Sequence, residues 1–247
     1  MAVDLVTGIL PIFIAHTGNA PTLMEYSGTG FIVGKGVLVT CWHVVEAQLG
    51  WDCRYAAASR NNAGDFFVTY LSNVQQDLNG TDLATDTVVT GMPIQLNISN
   101  DDLQLGESDL WTYGYPFTDV ANISPANLRF TLNPRFMRAH QLRDFDYHYG
   151  KYGKTRSYEL NIAAPRGLSG APLVRGGSFE VVGVIYGNHD IETIDEFVKI
   201  DPDTGERTPE VRRIVSYGLA HHLTTLQGLS GAATRSMPLI EFLASSK

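Results

Sequence analysis

Apolar residues in this chain come in short runs cut by glycine and small polar turns, a pattern that favours strands over helices. Ile9 to His16 and Gly30 to Val45 set the rhythm, with the run from Leu5 to Ala15 read as a first strand, too short to cross a bilayer and interrupted by Gly8 and Pro11. Phe66 to Leu71 and Thr87 to Thr90 follow as strands, and Asn79-Gly80-Thr81 forms a turn just ahead of Asp82. Leu110 to Tyr115 is assigned as the last strand of a first lobe. Between Pro116 and Pro125 the periodicity fades, which marks the expected crossover to a second lobe. Leu128 to Thr131, Arg156 to Ile162, Ala171 to Val174, Phe179 to Tyr186 and Ile214 to Ala220 supply the second set of strands. Helix is expected as one turn from Val44 to Gln48, over His221 to Gln227, and over Pro238 to Ser245 with Leu239, Ile240, Phe242 and Leu243 turned inward. Many short strands separated by turns imply a barrel or sandwich rather than a parallel sheet.

Composition narrows the picture without changing it. The 247 residues are 44% hydrophobic and 18% charged, enough for one large domain or two small lobes with a substantial core. Eighteen Lys and Arg against 26 Asp and Glu leave a formal charge of -8, which argues against general affinity for nucleic acid or an anionic membrane. A local strip of Arg129, Arg135, Arg138, Arg143, Lys151, Lys154 and Arg156, interleaved with Phe130, Phe136, Tyr147, Tyr149 and Tyr152, has the look of a single-strand nucleic-acid platform. Asp144, Asp146 and Glu159 dilute its charge, and an ordinary barrel hairpin accounts for it. The first basic residue is Lys35, so no export signal is visible, and Asn79, Asn97 and Asn122 carry no weight as glycosylation acceptors. Cys41 and Cys53 cannot build a disulfide framework and read as thiols of a reducing cytoplasm, with a single bridge between them left open.

The candidate chemistry centres on Arg166-Gly167-Leu168-Ser169-Gly170-Ala171-Pro172-Leu173-Val174, a tight turn presenting a hydroxyl just before a buried strand. There the N–H groups of Gly167 and Ser169 can face a developing oxyanion beside the nucleophile. Thr40-Cys41-Trp42-His43-Val44-Val45 closes one apolar run and Asp82-Leu83-Ala84 opens another, so a base and an orienting carboxylate precede the serine in the order His, Asp, Ser. His43 to Asp82 is 39 residues and Asp82 to Ser169 is 87, spacings that suit two groups on one lobe and the nucleophile on the other. Ser169 would attack a carbonyl, His43 would take its proton, and Asp82 would fix the imidazole tautomer. Asp86 competes with Asp82 for the carboxylate role, though the turn before Asp82 suits a strand start. Gly228-Leu229-Ser230-Gly231 repeats the serine string without a following Pro-apolar strand, and reads as a turn before the last helix. Cys41 reads as a small buried hydrophobe. His189-Asp190 and His221-His222 lack companion ligands, so neither a metal site nor a cofactor is expected.

Six blocks extend this reading: Ser27 to Val33, Val37 to Val45, Asp82-Leu83-Ala84, Leu105 to Asp109 with Tyr113 to Pro116, Gly167 to Val174, and Val181 to Gly187. In their order and wording they resemble the signature blocks of chymotrypsin-fold, trypsin-like serine peptidases, closest to the bacterial branch that includes the high-temperature-requirement proteases. The resemblance runs from about residue 27 to about residue 222. It implies an all-β fold of two six-stranded antiparallel β-barrels with a short C-terminal helix, divided as residues 1–117, 118–235 and 236–247. It also favours Asp82, because Ala84 after Asp-Leu matches the family block. Leu168 stands where zymogen-activated members carry an aspartate, so activation by N-terminal cleavage is not expected, and no PDZ domain is expected after Lys247.

By the family's pattern the primary specificity pocket is walled by Ala163 and Ala164, by Tyr186, Gly187 and Asn188, and by Gly218. Those residues offer no counter-ion for Lys or Arg, so the residue before the cleaved bond is expected to be apolar or small. Tyr186 to Asn188 is expected to pair with substrate backbone. The acidic stretch from Asp190 to Glu210 reads as a solvated hairpin. The expectation is a cytoplasmic serine endopeptidase acting on protein or peptide substrate, without nucleic-acid or membrane partners, and with an unidentified regulatory partner left open. Two rivals are a silent peptidase-like module that binds peptides and an esterase using the same triad.

Overall fold

A computed structural model describes residues 6–17, 22–60, 66–87, 95–107, 109–124, 127–195 and 211–245. Strands β1 (Ile9–His16), β2 (Thr22–Val33), β3 (Val37–Cys41), β4 (Cys53–Arg60), β5 (Phe66–Tyr70), β6 (Gln75–Gln76) and β7 (Leu83–Thr87) make one antiparallel sheet in the order β5-β4-β1-β2-β3-β7-β6. A four-residue helix, α1 (Trp42–Val45), follows β3. The second sheet draws on β8 (Asn97–Ile98), β9 (Leu110–Gly114), β12 (Arg135–Ala139), β13 (Gln141–His148), β14 (Lys154–Leu160), β15 (Pro172–Arg175), β16 (Glu180–Asp195) and β17 (Val211–His221). Its order is β12-β9-β15-β16-β17-β14-β13, with β8 added in parallel to β16. Between β9 and β12, β10 (Asp119–Ser124) and β11 (Asn127–Thr131) form a separate hairpin. Helices α2 (Leu223–Gly228) and α3 (Leu239–Ala244) close the chain; α2 starts later than the expected His221, because His221 still pairs with Ser157 and Val184 as the end of β17.

Both sheets curl, for a reason visible in their order. The two edge strands of the first, β5 and β6, are consecutive in the chain, as are the two edge strands of the second, β12 and β13, which only His140 separates. A chain that leaves one edge and joins the other bends the sheet around on itself. Counting each bent pair as one strand gives six strands around each curl, with β8 as an addition.

One strand lies elsewhere than the sequence suggests. β9, expected to end the first lobe, sits in the second sheet between β12 and β15, with Leu110 to Gly114 opposite Ala139 to Arg135. The change of sheet therefore falls between β7 and β8, ahead of the Pro116 to Pro125 stretch, which instead enters the β10–β11 hairpin. Sequence order does not specify sheet order, because the partner that captures a strand is decided by long-range pairing. Residues 88–90 of the expected Thr87 to Thr90 strand and residues 196–210 of the acidic stretch lie outside the described residues. The flanks of that stretch are paired strands out to Asp195 and Val211.

The core follows the two-residue period of the strands. On β15, Leu173 turns into the second lobe while Val174 turns toward the seam between the sheets, and on β16 Val184 and Tyr186 face the seam and Ile185 the second lobe, the alternation being shifted by a bulge at Val182. The seam cluster joins Ile12, Phe31 and Val39 of the first sheet and Val44 of α1 to Val184, Tyr186 and Leu219 of the second, with Leu239 and Phe242 of α3 on its flank. Burying each such side chain contributes roughly 1.5–3 kcal/mol. The seam thus holds the inner ends of β3, β15 and β16 in one place, where the candidate residues meet.

Candidate active site

β3 and β7 are antiparallel neighbours, with Cys41 opposite Leu83, so the residues after one and before the other are adjacent although 39 positions apart in sequence. Asp82 uses both carboxylate oxygens on the first turn of α1. Oδ1 accepts the backbone N–H of His43 at 2.9 Å and Oδ2 accepts its ring Nδ1–H at 2.7 Å. The Asp82 carbonyl takes the N–H of Trp42 at 3.0 Å. The side chain of Asp82 is fully buried while that of His43 is one-quarter exposed, so the imidazole is anchored from below and open above. Burial by itself would raise the Asp82 carboxyl, but the imidazoles of His221 and His43 more than offset it and hold it below the ordinary carboxylate value.

Ser169 lies on a turn fixed from three directions. Leu168 N–H bonds to the Pro165 carbonyl at 3.0 Å, Gly170 N–H to Ile185 at 2.8 Å, and the Ser169 carbonyl accepts Thr29 N–H at 2.9 Å. Gly170 has φ 85°, and a Cβ there would lie 1.9 Å from the Thr29 carbonyl oxygen. Gly167 has φ 93°, and a Cβ there would lie 2.5 Å from the Tyr26 ring. Leu168 is completely buried in the core of the second lobe, so packing secures this turn where a carboxylate would need a partner. The Arg166 carbonyl accepts Phe117 N–H at 3.3 Å, and the Gly167 carbonyl accepts the hydroxyls of Tyr26 at 2.7 Å and Thr29 at 2.8 Å. Among the described residues the N–H groups of Gly167 and Ser169 have no acceptor. Because a trans peptide points its N–H away from its carbonyl, the hold on Arg166 turns the Gly167 N–H to the opposite side.

The Ser169 hydroxyl donates to the Tyr186 carbonyl at 3.3 Å and makes no hydrogen bond to His43. Tyr186 is the extra residue of a bulge: Ile185 faces Ala220 and Gly187 faces Leu219, leaving Tyr186 unpaired with β17. The two halves of the site are also stitched together, since the Cys41 S–H, two residues before His43, donates to the Ile185 carbonyl at 3.3 Å. Burial pushes the Cys41 thiol well up, which keeps it protonated beside Asp82.

Of the residues expected to wall a specificity pocket, Asn188 is the register partner of Gly218 and bonds to Ala164. Asn188 Oδ1 accepts Ala164 N–H at 2.6 Å and its Nδ2 donates to the Ala164 carbonyl at 3.0 Å, so this side chain braces the wall. Gly218 N–H donates to the Ile162 carbonyl, and a Cβ on Gly218 would come within 2.6 Å of that oxygen. Ala164 is buried, whereas Ala163 is exposed. The Tyr149 ring is 6.3 Å from that of His43 and 4.6 Å from that of Tyr186.

Other residues singled out by sequence fall elsewhere. Asp86 accepts the N–H groups of Asn73 at 3.2 Å and Thr87 at 2.6 Å, and burial raises its carboxyl. Ser230 takes the turn expected of it, its N–H donating to Asp77 at 3.0 Å. Four residues of the basic strip are answered by carboxylates: Arg143 by Glu159, Arg156 by Asp144, Lys154 by Asp146 and Lys151 by Glu46. Both cysteines are free thiols.

The sequence reading missed His221. This fully buried residue ends β17, its ring stacks on Tyr186 at 4.3 Å, and its Nε2 approaches Asp82 Oδ2 at 3.7 Å. His222 turns the other way, to Asp102 at 3.1 Å, while its Nδ1 accepts Thr224 N–H at the start of α2. The doublet His221-His222 at a strand end was the available signal, since neighbours on a strand face opposite ways.

Residues 28–184 match the family model of the trypsin-like peptidase domain. Among curated proteins none matches the chain by sequence. In fold it is similar to the MamO protease domain of Magnetospirillum magneticum in its apo form, with TM-score 0.58 and 14% identity over 91% of this chain and 96% of that one. It is also similar to the active form of the Rv3671c protease of M. tuberculosis, with TM-score 0.57 and 16% identity over 92% of this chain and 81% of that one. An HtrA-type protease, AlgW, crystallised with a decapeptide, gives TM-score 0.53 and 14% identity over 90% of this chain and 62% of that one. The two curled sheets and C-terminal helix are thus the trypsin-like double β-barrel. Among the described residues no helix is long and apolar enough to cross a membrane.

Proposed function

Because the chain belongs to the trypsin-like peptidase domain family and is a serine protease by that membership, we propose that it is an endopeptidase acting through His43, Asp82 and Ser169. The two-point hold of Asp82 on His43 is the observation that carries the reading. It fixes the Nδ1–H tautomer, which leaves Nε2 free to accept a proton. Rotation of the Ser169 side chain exchanges the Tyr186 carbonyl for His43 as hydroxyl acceptor, an adjustment of the kind that accompanies substrate binding. The Ser169 alkoxide forms its bond to the substrate carbonyl carbon as His43 takes the proton. The oxyanion is received by the N–H groups of Gly167 and Ser169, and His43 then protonates the leaving amine. Displacement of the Ser169 hydroxyl frees the Tyr186 carbonyl for a substrate backbone N–H, with Gly187 and Asn188 extending the pairing.

Ala164, Gly187, Asn188 and Gly218 frame a small uncharged pocket, which suits a small or apolar residue before the scissile bond. Leu168 in its buried position supports a site that needs no ion pair with a new N-terminus. Two free thiols fit a reducing compartment, and we read the enzyme as cytoplasmic. The sequence suggests a division at 1–117, 118–235 and 236–247; because β8 and β9 pair within the second sheet, we place the boundary between the lobes after β7 instead.

The bond from Ser169 to Tyr186 favours a second reading, a module that binds extended peptides without cutting. A fluorophosphonate probe separates the two. Labelling of the wild type that disappears in Ser169→Ala supports the peptidase, and absence of labelling under conditions that cleave no denatured protein supports the binding module. An esterase would be labelled too, but would cleave small acyl esters and leave the denatured protein intact.

A further inference from the structure

Outside the candidate triad, three strands and the residue that precedes one of them bring four unlike donors to one corner of the first sheet. His16 ends β1 and is the register partner of Cys53, which begins β4 directly after Asp52. Met24 lies on β2 at the bulge where Ile14 faces Glu25 and Ala15 faces Leu23, so it is the extra residue there. His16 Nδ1 is 3.2 Å from Asp52 Oδ2. Cys53 Sγ lies 3.6 Å from His16 Nδ1, 3.6 Å from Asp52 Oδ1 and 3.8 Å from Met24 Sδ.

We propose that His16, Asp52 and Cys53 bind a divalent cation of the zinc class, with the Met24 thioether at the fourth corner. Two features carry this. A thiol has one proton, yet Sγ stands at near-contact distance from an imidazole nitrogen, a carboxylate oxygen and a second sulfur, more acceptors than one S–H serves. Three separations also have the size of ligand–ligand edges around zinc, His16 Nδ1 to Asp52 Oδ2, His16 Nδ1 to Cys53 Sγ and Cys53 Sγ to Met24 Sδ, while Cys53 meets the other Asp52 oxygen, Oδ1, so a small turn of that carboxylate completes the set. Zinc bonds of about 2.0–2.1 Å to N or O and about 2.3 Å to S place N and O about 3.3 Å apart, N or O and S about 3.6 Å, and two sulfurs about 3.8 Å. Imidazole, carboxylate and thiolate are the donors zinc takes, and the side chains of His16 and Asp52 are each more than two-fifths exposed, so an ion can enter.

On binding, the metal forms a bond to Cys53 sulfur as the thiol proton passes to solvent, and binding therefore weakens as pH falls. The ion ties β1, β2 and β4 together. The site shares no residue with His43, Asp82 or Ser169, so metal loading and peptide cleavage are separable.

The test is titration of the whole reduced chain with Co2+, followed by displacement with Zn2+. One equivalent is expected to give a thiolate-to-cobalt charge-transfer band and the visible bands of a tetrahedral centre. Cys53→Ser is expected to lose the charge-transfer band and, like His16→Gln, to bind cobalt more than about tenfold more weakly while keeping native circular dichroism and wild-type cleavage. Met24→Leu is expected to keep the charge-transfer band with altered visible bands. Zn2+ is expected to raise the melting temperature of wild type and not of Cys53→Ser or His16→Gln. If Cys53→Ser does not fold, Asp52→Asn with His16→Gln carries the comparison. No charge-transfer band in wild type, the same band in Cys53→Ser, or its loss in His43→Gln, which would place the ion beside Cys41, overturns the proposal.

Discussion

His221 brings its Nε2 to 3.7 Å from Oδ2 of Asp82, the same oxygen that takes the Nδ1–H of His43 at 2.7 Å. At that distance the approach is an electrostatic contact rather than a hydrogen bond. Burial pushes the His221 imidazole below its ordinary value, more strongly than Asp82 pulls it up, so the ring is neutral. Its Nδ1 faces the Thr155 hydroxyl at 3.4 Å, and with that nitrogen as acceptor the proton resides on Nε2, toward the carboxylate. A neutral dipole thus helps keep Asp82 ionised in a buried place without competing with His43 for charge.

His221→Phe preserves the stacking on Tyr186 and removes the dipole. The expected result is a fall of about tenfold in kcat with little change in KM, the size of one modest polar interaction. Denaturant titrations give a second readout, which reports the burial of the neutral imidazole. Because the native pKa is depressed, the unfolded chain binds a proton below about pH 6.5 that the native chain does not. Wild-type stability is therefore full above that pH and declines toward acid, and the variant should decline less.

Asp82→Asn and Asp86→Asn separate the two carboxylates. The first should cost on the order of ten-thousandfold in kcat, through loss of the imidazole tautomer. The second keeps an acceptor for the N–H groups of Asn73 and Thr87 and should leave kcat within about threefold. Since the Asp82 carboxyl lies below its ordinary value, it stays ionised through mild acid, and activity lost there in the wild type is not protonation of Asp82. A pH–rate profile whose acid limb moves in Asp86→Asn would count against this assignment.

Gly170→Ala places a methyl 1.9 Å from the Thr29 carbonyl oxygen on a backbone with φ 85°. Backbone cannot yield as a side chain can, so stability should drop by about 3 kcal/mol or more. Gly177→Ala, where a Cβ meets nothing within 4 Å, is the control and should be near neutral in the same thermal melts.

Asn188→Ala removes both bonds to Ala164 and would loosen the proposed pocket wall. Peptide-library cleavage should show KM raised by about tenfold and a broader choice of residue before the cut, with kcat less affected. A cleavage profile that keeps its selectivity would show the wall to be held by the Gly218 to Ile162 contact alone.

Legibility varied from one residue to the next. The Thr40 to Val45 block and the Asp82-Leu83-Ala84 block each carry a local signal, an apolar strand ending or beginning at a functional side chain, and their juxtaposition needs only one antiparallel pairing. His221 carries only the weaker signal of a histidine doublet at a strand end. It reaches Asp82 through β17, β16 and the seam of the two lobes, while its neighbour His222 faces away to Asp102. The His16, Asp52, Cys53 and Met24 corner is harder still, since it depends on the register of three strands and on a bulge at Met24.

By itself the sequence determined the all-β class, the turn around Ser169 that only glycine at 167 and 170 allows, and the terminal helix, because each of these is a local matter of period, φ and apolar spacing. Tertiary structure decided which sheet takes β9, that the chain's return from one edge to the other curls each sheet, which carboxylate holds His43, and that a second imidazole stands behind it. Those outcomes turn on pairing between distant segments and on burial from several sides at once, and neither is written in the neighbourhood of any one residue.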